Sequence, residues 1–215
     1  MIKTVLFDFD GTVVDSRRGI YASIKYALDK MEKPFPDEET LNLFLGPPIV
    51  NGFMMISDMT RDEAVEAVRL YREYYAPVGC LECDVYEGIP ELFASLKERG
   101  YTLGIATSKP TAFTQKILES IGLDKYVDYL CGASMDGKLS EKADVVRVAM
   151  EKLGAKQEST LLVGDRHYDV AGAKGNSIPC IGVLWGFGSE DELSEAGAAY
   201  LAAKPSDLLG IIEEL

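Results

Sequence analysis

Apolar and β-branched residues crowd positions 3 to 9 (KTVLFDF), the pattern of a strand buried on both faces, and Gly11 follows closely enough to turn the chain. From Ile20 the period changes. Ile24, Ala27, Leu28 and Met31 recur at helical spacing, and Pro34 and Pro36 end that segment. A second helix is expected near residues 37 to 45 and a third after Pro48. Residues 60 to 75 place Ala64, Val65, Val68, Tyr71 and Tyr75 on one face, with Thr60 as N-cap and Glu63 three positions later. Residues 16 to 82 therefore read as several helices without a strand.

After Gly88 the pattern alternates. A helix over 89 to 99 ends at Gly100. Strand 101 to 107, helix 110 to 121, strand 127 to 132, helix 140 to 153, strand 159 to 164, helix 167 to 175 and strand 178 to 184 follow. Strands and helices alternating over short loops specify a parallel sheet covered on both faces, and right-handed crossovers make it doubly wound. The expected fold is α/β: a Rossmann-like core from residues 1 to 15 and 83 to 215, with an all-helical cap over 16 to 82. The insertion leaves the first strand at its carboxyl end, the edge where open α/β sheets bind ligands, so it is placed to act as a lid.

Composition narrows the partners. The 215 residues carry a formal charge of −13 with 47% hydrophobic residues, enough for a buried core. So negative a body makes nucleic-acid polymers and anionic membranes poor partners. The uncharged stretch from 40 to 57 is broken by Gly46, Pro47 and Pro48, unlike a membrane span. The amino terminus lacks the pattern of a signal peptide, so a cytoplasmic protein, monomer or weak homodimer, is expected. Of four cysteines, Cys131 and Cys180 sit in strand-like runs and read as small buried hydrophobes. Cys80 and Cys83 make one CxxC without a second pair or a nearby His, which argues against zinc.

The chemistry concentrates at strand ends. Asp8-Phe9-Asp10-Gly11-Thr12 sets two carboxylates one residue apart at the mouth of the first strand, a costly arrangement without a compensating cation. Strand 159 to 164 also runs into acid, with Asp165 and Asp169 four apart. In a parallel sheet these ends share an edge, so Asp8, Asp10, Asp165 and Asp169 are expected to converge on a hard divalent cation. All-oxygen ligation favours Mg²⁺ over zinc. Thr107 and Ser108 end another strand beside a helix start, a ready anion site. Lys138 and Lys142 flank the start of helix 140 to 153, and either can deliver a positive charge.

The order of these features, DxDGT, a strand ending in Thr-Ser, a lysine, then GDxxxD, resembles the haloacid dehalogenase superfamily of phosphohydrolases over nearly the whole chain. The helical insertion is similar to the C1 cap of the phosphoglycolate phosphatase and β-phosphoglucomutase branch. The resemblance implies that Asp8 is the nucleophile, Asp10 the general acid/base, Thr107 a phosphate ligand, Lys142 the charge-balancing lysine in preference to Lys138, and Asp165 a Mg²⁺ ligand. It implies that Asp169 assists through a metal-bound water. Gly11, Thr12 and Ser108 are expected beside the phosphate, with Arg17 and Gly46 of the cap toward the rest of the substrate. Dehalogenases lack the second aspartate, and β-phosphoglucomutases carry a His near the start of the cap. Asp10 is present here, and the single His is His167.

The implied activity is Mg²⁺-dependent hydrolysis of a small phosphate monoester through an aspartyl-phosphate, phosphoglycolate phosphatase-like. The strings 164 to 169 and 181 to 188 are also similar to a 5′-nucleotidase-like subgroup, in which Trp185 and Phe187 would stack on a base. The same residues admit a broad sugar-phosphate phosphatase or a non-catalytic phosphate- or metal-binding protein.

Overall fold

A computed structural model describes residues 1–56, 59–135 and 137–215. The chain divides into two compact units, Met1–Val14 with Val85–Leu215, and Asp15–Asp84.

In the first unit the chain opens on β1 (Thr4–Phe7), whose four residues are all buried. Two short strands, β2 (Val14–Asp15) and β3 (Asp84–Val85), lie where the chain passes between the units. Then follow α5 (Ile89–Glu98), β4 (Thr102–Pro110), α6 (Thr111–Ile121), β5 (Tyr129–Ala133), α7 (Lys142–Leu153), β6 (Thr160–Gly164), α8 (His167–Gly175) and β7 (Cys180–Val183). The main sheet has the order β5-β4-β1-β6-β7, with an eighth strand, β8 (Tyr200–Ala202), at the far edge. Every pairing in it is parallel. From β1 the chain builds outward through β4 and β5, then returns to the other side of β1 for β6, β7 and β8. This is the reversal of strand order at which doubly wound sheets bind ligands.

Alternate residues of β1 supply the two covered faces. Leu6 joins a core cluster with Val145, Val146 and Ala149 of α7 and Val170 and Ala173 of α8. Phe7 points the other way and meets Phe93 of α5 at a ring-centroid distance of 4.8 Å. Val5, Leu6 and Phe7 are fully buried, each contributing about 1.5–3 kcal/mol to holding this strand at the centre.

The second unit contains α1 (Arg17–Lys30), α2 (Glu38–Asn42), α3 (Ile49–Met55) and α4 (Arg61–Tyr75). Ile20, Ile24, Ala27 and Leu28 form the buried stripe of α1. In α4 the stripe is Ala64, Ala67, Val68, Leu70, Tyr71 and Tyr75. Val65, expected in it, is instead exposed, because it lies off the 64, 68, 71, 75 row that defines the stripe. The Thr60 hydroxyl accepts from the Glu63 N–H and the Glu63 carboxylate accepts from the Thr60 N–H, a reciprocal cap.

The α/β class is as expected. The strand predicted over 3 to 9 stops at Phe7, and the chain beyond residue 184 adds α9 (Glu190–Ala196), β8 and α10 (Pro205–Glu214), none of them among the expected elements. Cys131 and Cys180 are buried. Among the described residues no helix is long and apolar enough to cross a membrane.

Candidate active site

The strand register decides which residues meet. Phe7 is level with Ile105 of β4 and Val163 of β6, so Asp8 leaves β1 between its two neighbours. Its N–H donates to the Val163 carbonyl at 2.8 Å. On one side β4 continues to Thr107, and on the other β6 ends at Gly164 and delivers Asp165. Lys142, the first residue of α7, is buried and donates to Asp8 Oδ1 at 2.6 Å and to the Ala106 carbonyl at 3.0 Å. Its Nζ is also 2.7 Å from Asp169 Oδ1. Asp169 stands in the first turn of α8, where its other oxygen accepts from the Arg166 N–H at 3.0 Å.

One oxygen from each of Asp8, Asp165 and Asp169 falls within a 4.8 Å group, and all three residues are buried. Three buried carboxylate oxygens this near one another are the hard, all-oxygen donor set that suits Mg²⁺. Lys142 supplies one positive charge against three carboxylates, leaving the ionised cluster two charges short of neutrality. The strain shows in the titration of these groups. Burial pushes the Asp8 carboxyl up to about 6, with Asp169 and Asp10 adding to the rise and Lys142 opposing it. Burial, then Asp169 and Asp8, raise Asp165 well above the usual carboxylate range. For Lys142, burial works against the charge, but Asp169 and Asp8 outweigh it and hold the ammonium above its ordinary value. A divalent cation among these oxygens reverses the penalty on the acids.

Side chains are excluded around the cluster. Gly11 has φ +83°, and a Cβ there would overlap the Asp165 carboxylate, as would one at Gly186. A Cβ at Gly172 of α8 would overlap the Lys142 side chain. Asp165 is further fixed by the Thr12 hydroxyl, which donates to Oδ1 at 3.1 Å, and by the Phe187 N–H, which donates to Oδ2 at 2.8 Å.

Asp10 stands apart. Lys109 Nζ donates to both its carboxylate oxygens, at 2.8 and 2.9 Å. Of the acids expected to converge, Asp8, Asp165 and Asp169 form the compact cluster, and the Asp10 carboxylate is turned to Lys109. Lys109 was missed because one lysine just past the expected strand reads as a solvated side chain, whereas β4 runs on to Pro110 and buries it.

Thr107 is buried and its hydroxyl accepts from the Lys109 N–H at 3.2 Å; Ser108 beside it is half-buried. The choice of lysine falls to Lys142, since Lys138 is exposed. Thr12, expected beside the phosphate, has its hydroxyl on Asp165. Arg17 lies in the helical unit with its Nε on Asp15 Oδ1 at 2.9 Å, and that guanidinium holds the Asp15 carboxyl below the usual range. Gly46 lies in the same unit in a left-handed turn at φ +105°. His167 Nδ1 sits 2.6 Å from Glu192 Oε1. The Trp185 indole N–H donates to the Thr12 carbonyl at 3.1 Å, tying the loop after β7 to the motif after β1. The Cys80 thiol donates to the Ala76 carbonyl at 3.3 Å, and neither it nor Cys83 is in a disulfide.

Known proteins share this arrangement of chain. A predicted phosphatase from Clostridium acetobutylicum has the same structure at a TM-score of 0.94, with 45% identity and full coverage of both chains. The 5′-nucleotidase of Pseudomonas aeruginosa is 38% identical over 209 residues, 97% of this chain and 95% of that one. Tyrosine-protein kinase PtkA of Mycobacterium tuberculosis is 35% identical over 199 residues, 93% of this chain and 68% of that one. The haloacid dehalogenase-like hydrolase family matches residues 5–183. With the acid cluster at the carboxyl edge of the sheet and a match of this extent, the chain belongs to the haloacid dehalogenase-like hydrolase family.

Proposed function

We propose that the protein hydrolyses small phosphate monoesters in a Mg²⁺-dependent reaction that passes through an aspartyl-phosphate on Asp8. The observation that carries this is Asp8 itself: a buried carboxylate at the switch point of the sheet, 2.6 Å from a buried lysine and grouped with two further acids. Asp8, Asp165 and Asp169 would hold the metal ion, which when bound supplies the positive charge that lets a carboxylate approach a dianionic ester.

The chain's own groups do the rest. Lys142 favours the ionised form of Asp8 and faces the phosphoryl oxygens. An Asp8 oxygen forms the new bond to phosphorus as the ester oxygen leaves with its electron pair. Asp10 gives that oxygen a proton, then takes one from the water that splits the acyl phosphate, releasing inorganic phosphate and restoring Asp8. Dividing one displacement into two easier ones is the gain from covalent catalysis, and the proton transfers add about 10²- to 10⁴-fold. Thr107 and Ser108, at the end of β4, would receive the remaining phosphoryl oxygens.

Two substrate classes follow. The phosphoglycolate phosphatase-like reading rests on the motif order and the helical insertion. The nucleoside monophosphate reading is favoured by the 38% identity to a protein named as a 5′-nucleotidase. Phosphate release from 2-phosphoglycolate, nucleoside monophosphates, sugar phosphates and pyrophosphate, with Mg²⁺ and with EDTA, separates them. The expected result is release from monoesters with Mg²⁺ alone, and its abolition by Asp8→Asn. Undiminished release by that variant would overturn the mechanism; passage of phosphate to protein tyrosine in place of water would overturn the hydrolytic reading. Binding without release would make the protein a non-catalytic phosphate binder.

A further inference from the structure

Two lysines partition the acids of this edge: Lys142 takes Asp8 and Asp169, and Lys109 takes Asp10. The second pairing is built with some care. The register of β4 against β5 shifts between Thr107 and Pro110, so the strand is irregular where Lys109 lies. The Lys109 N–H is held by the Thr107 hydroxyl at 3.2 Å. Across from it Gly132 of β5 admits the irregular segment, since a Cβ there would overlap the Lys109 carbonyl and the Thr111 nitrogen. The Gly132 N–H donates to the Thr111 hydroxyl at 3.0 Å. The result is an ammonium on a side chain only 4% exposed, gripping both oxygens of a carboxylate that is 17% exposed. With both Asp10 oxygens on the Lys109 ammonium, the contact fixes the direction in which the Asp10 carboxylate points.

We propose that Lys109 is a positioning residue: it holds the Asp10 carboxylate out of the Asp8, Asp165, Asp169 cluster and so reserves it for proton transfer. With a divalent cation held among Asp8, Asp165 and Asp169, a carboxylate two residues from Asp8 without such a tether would be free to turn toward that cation. The assignment rests on Asp10 being the acid/base of the proposed reaction, and Lys109 acts through Asp10, not on the substrate.

Esters with different leaving groups provide the test. An alkyl phosphate needs its leaving oxygen protonated, whereas p-nitrophenyl phosphate does not. Lys109→Met is expected to lower kcat/KM for the alkyl ester about 100-fold, the scale of lost acid catalysis, with a much smaller change for p-nitrophenyl phosphate. Asp10→Asn should show the same split, and the double variant should be no worse than Asp10→Asn alone. Equal losses on both esters, or additive losses in the double variant, would overturn the proposal and mark Lys109 as a phosphate contact or a purely structural residue. Crystal structures of wild type and Lys109→Met grown with Mg²⁺ decide the matter without activity: an Asp10 carboxylate displaced toward the Asp8, Asp165, Asp169 cluster is expected in the variant, and an unmoved one would overturn the assignment. If wild type releases phosphate from neither ester, the phosphatase reading fails while this structural comparison still stands.

Discussion

Asp8 is kept in an environment that favours its neutral form, although the proposed chemistry needs its anion. Its folded pKa of about 6 lies above the ordinary 3.8, so between those values the native state holds a proton that the unfolded chain has released. Stability therefore falls as pH rises through this window, by roughly 3 kcal/mol for a shift of this size. Asp8→Asn carries no such group. In urea unfolding of the metal-free proteins, the variant is expected to gain on wild type by about that amount between pH 4 and 7, and Mg²⁺ at pH 7 should close much of the gap by stabilising wild type. A constant difference across the range would contradict the strained cluster. The residues of this cluster were legible because they sit in short strings at strand ends: DxDGT brought out Asp8, and GDxxxD brought out Asp165 and Asp169. Lys109 and the contact made by Thr12 were not, because their partners, Asp10 and Asp165, are 99 and 153 positions away. Which of two lysines reaches Asp8 also needed the fold. Lys142 opens α7 and is carried inward by Val145, Val146 and Ala149, while Lys138 lies before the helix and stays exposed.

Elements, not loops, hold most of the site in place. β1 is short and buried on both faces, α7 presents its first residue to the end of β1, and α8 presents Asp169 from its first turn. Gly172 is the point where α8 packs on Lys142. Alanine is the better helix former by about 1 kcal/mol, so Gly172→Ala favours α8 as an isolated helix while pressing on the lysine. The expected outcome is a fall in phosphate release of tenfold or more with helix content unchanged by circular dichroism. Undiminished activity would show that Lys142 is not held by this contact. The central alternation of strands and helices was readable from apolar runs bounded by glycine, as at Gly100, Gly122 and Gly154. β8 and α9 were not, and α10 went unread although Leu208, Ile211, Ile212 and Leu215 stand at helical spacing. β8 has three residues at a sheet edge with Tyr200 exposed, and α9 has seven, with Leu193 as its one buried residue. Their end signals were present even so: Ser189 caps α9, accepting from the Glu192 N–H at 3.1 Å, and Pro205 stands at the start of α10.

For the whole molecule, a charge of −13 argues against polymeric phosphates but not against one small ester. In the proposed reaction the acids at this edge are offset locally, Asp8 and Asp169 by Lys142, Asp10 by Lys109 and the cluster by Mg²⁺. The division into two units places the acid cluster and both lysines within Met1–Val14 and Val85–Leu215, so the proposed phosphoryl-transfer residues all belong to the α/β unit. The mechanism stands or falls on one atom-level event, phosphate bound to Asp8. Borohydride reduction during turnover converts an aspartyl-phosphate to homoserine, which peptide mass spectrometry locates. Homoserine at position 8, dependent on substrate and Mg²⁺, is the expected result. Steady release of phosphate with position 8 unmodified, or modification at another acid, would contradict the assignment of Asp8 as the nucleophile.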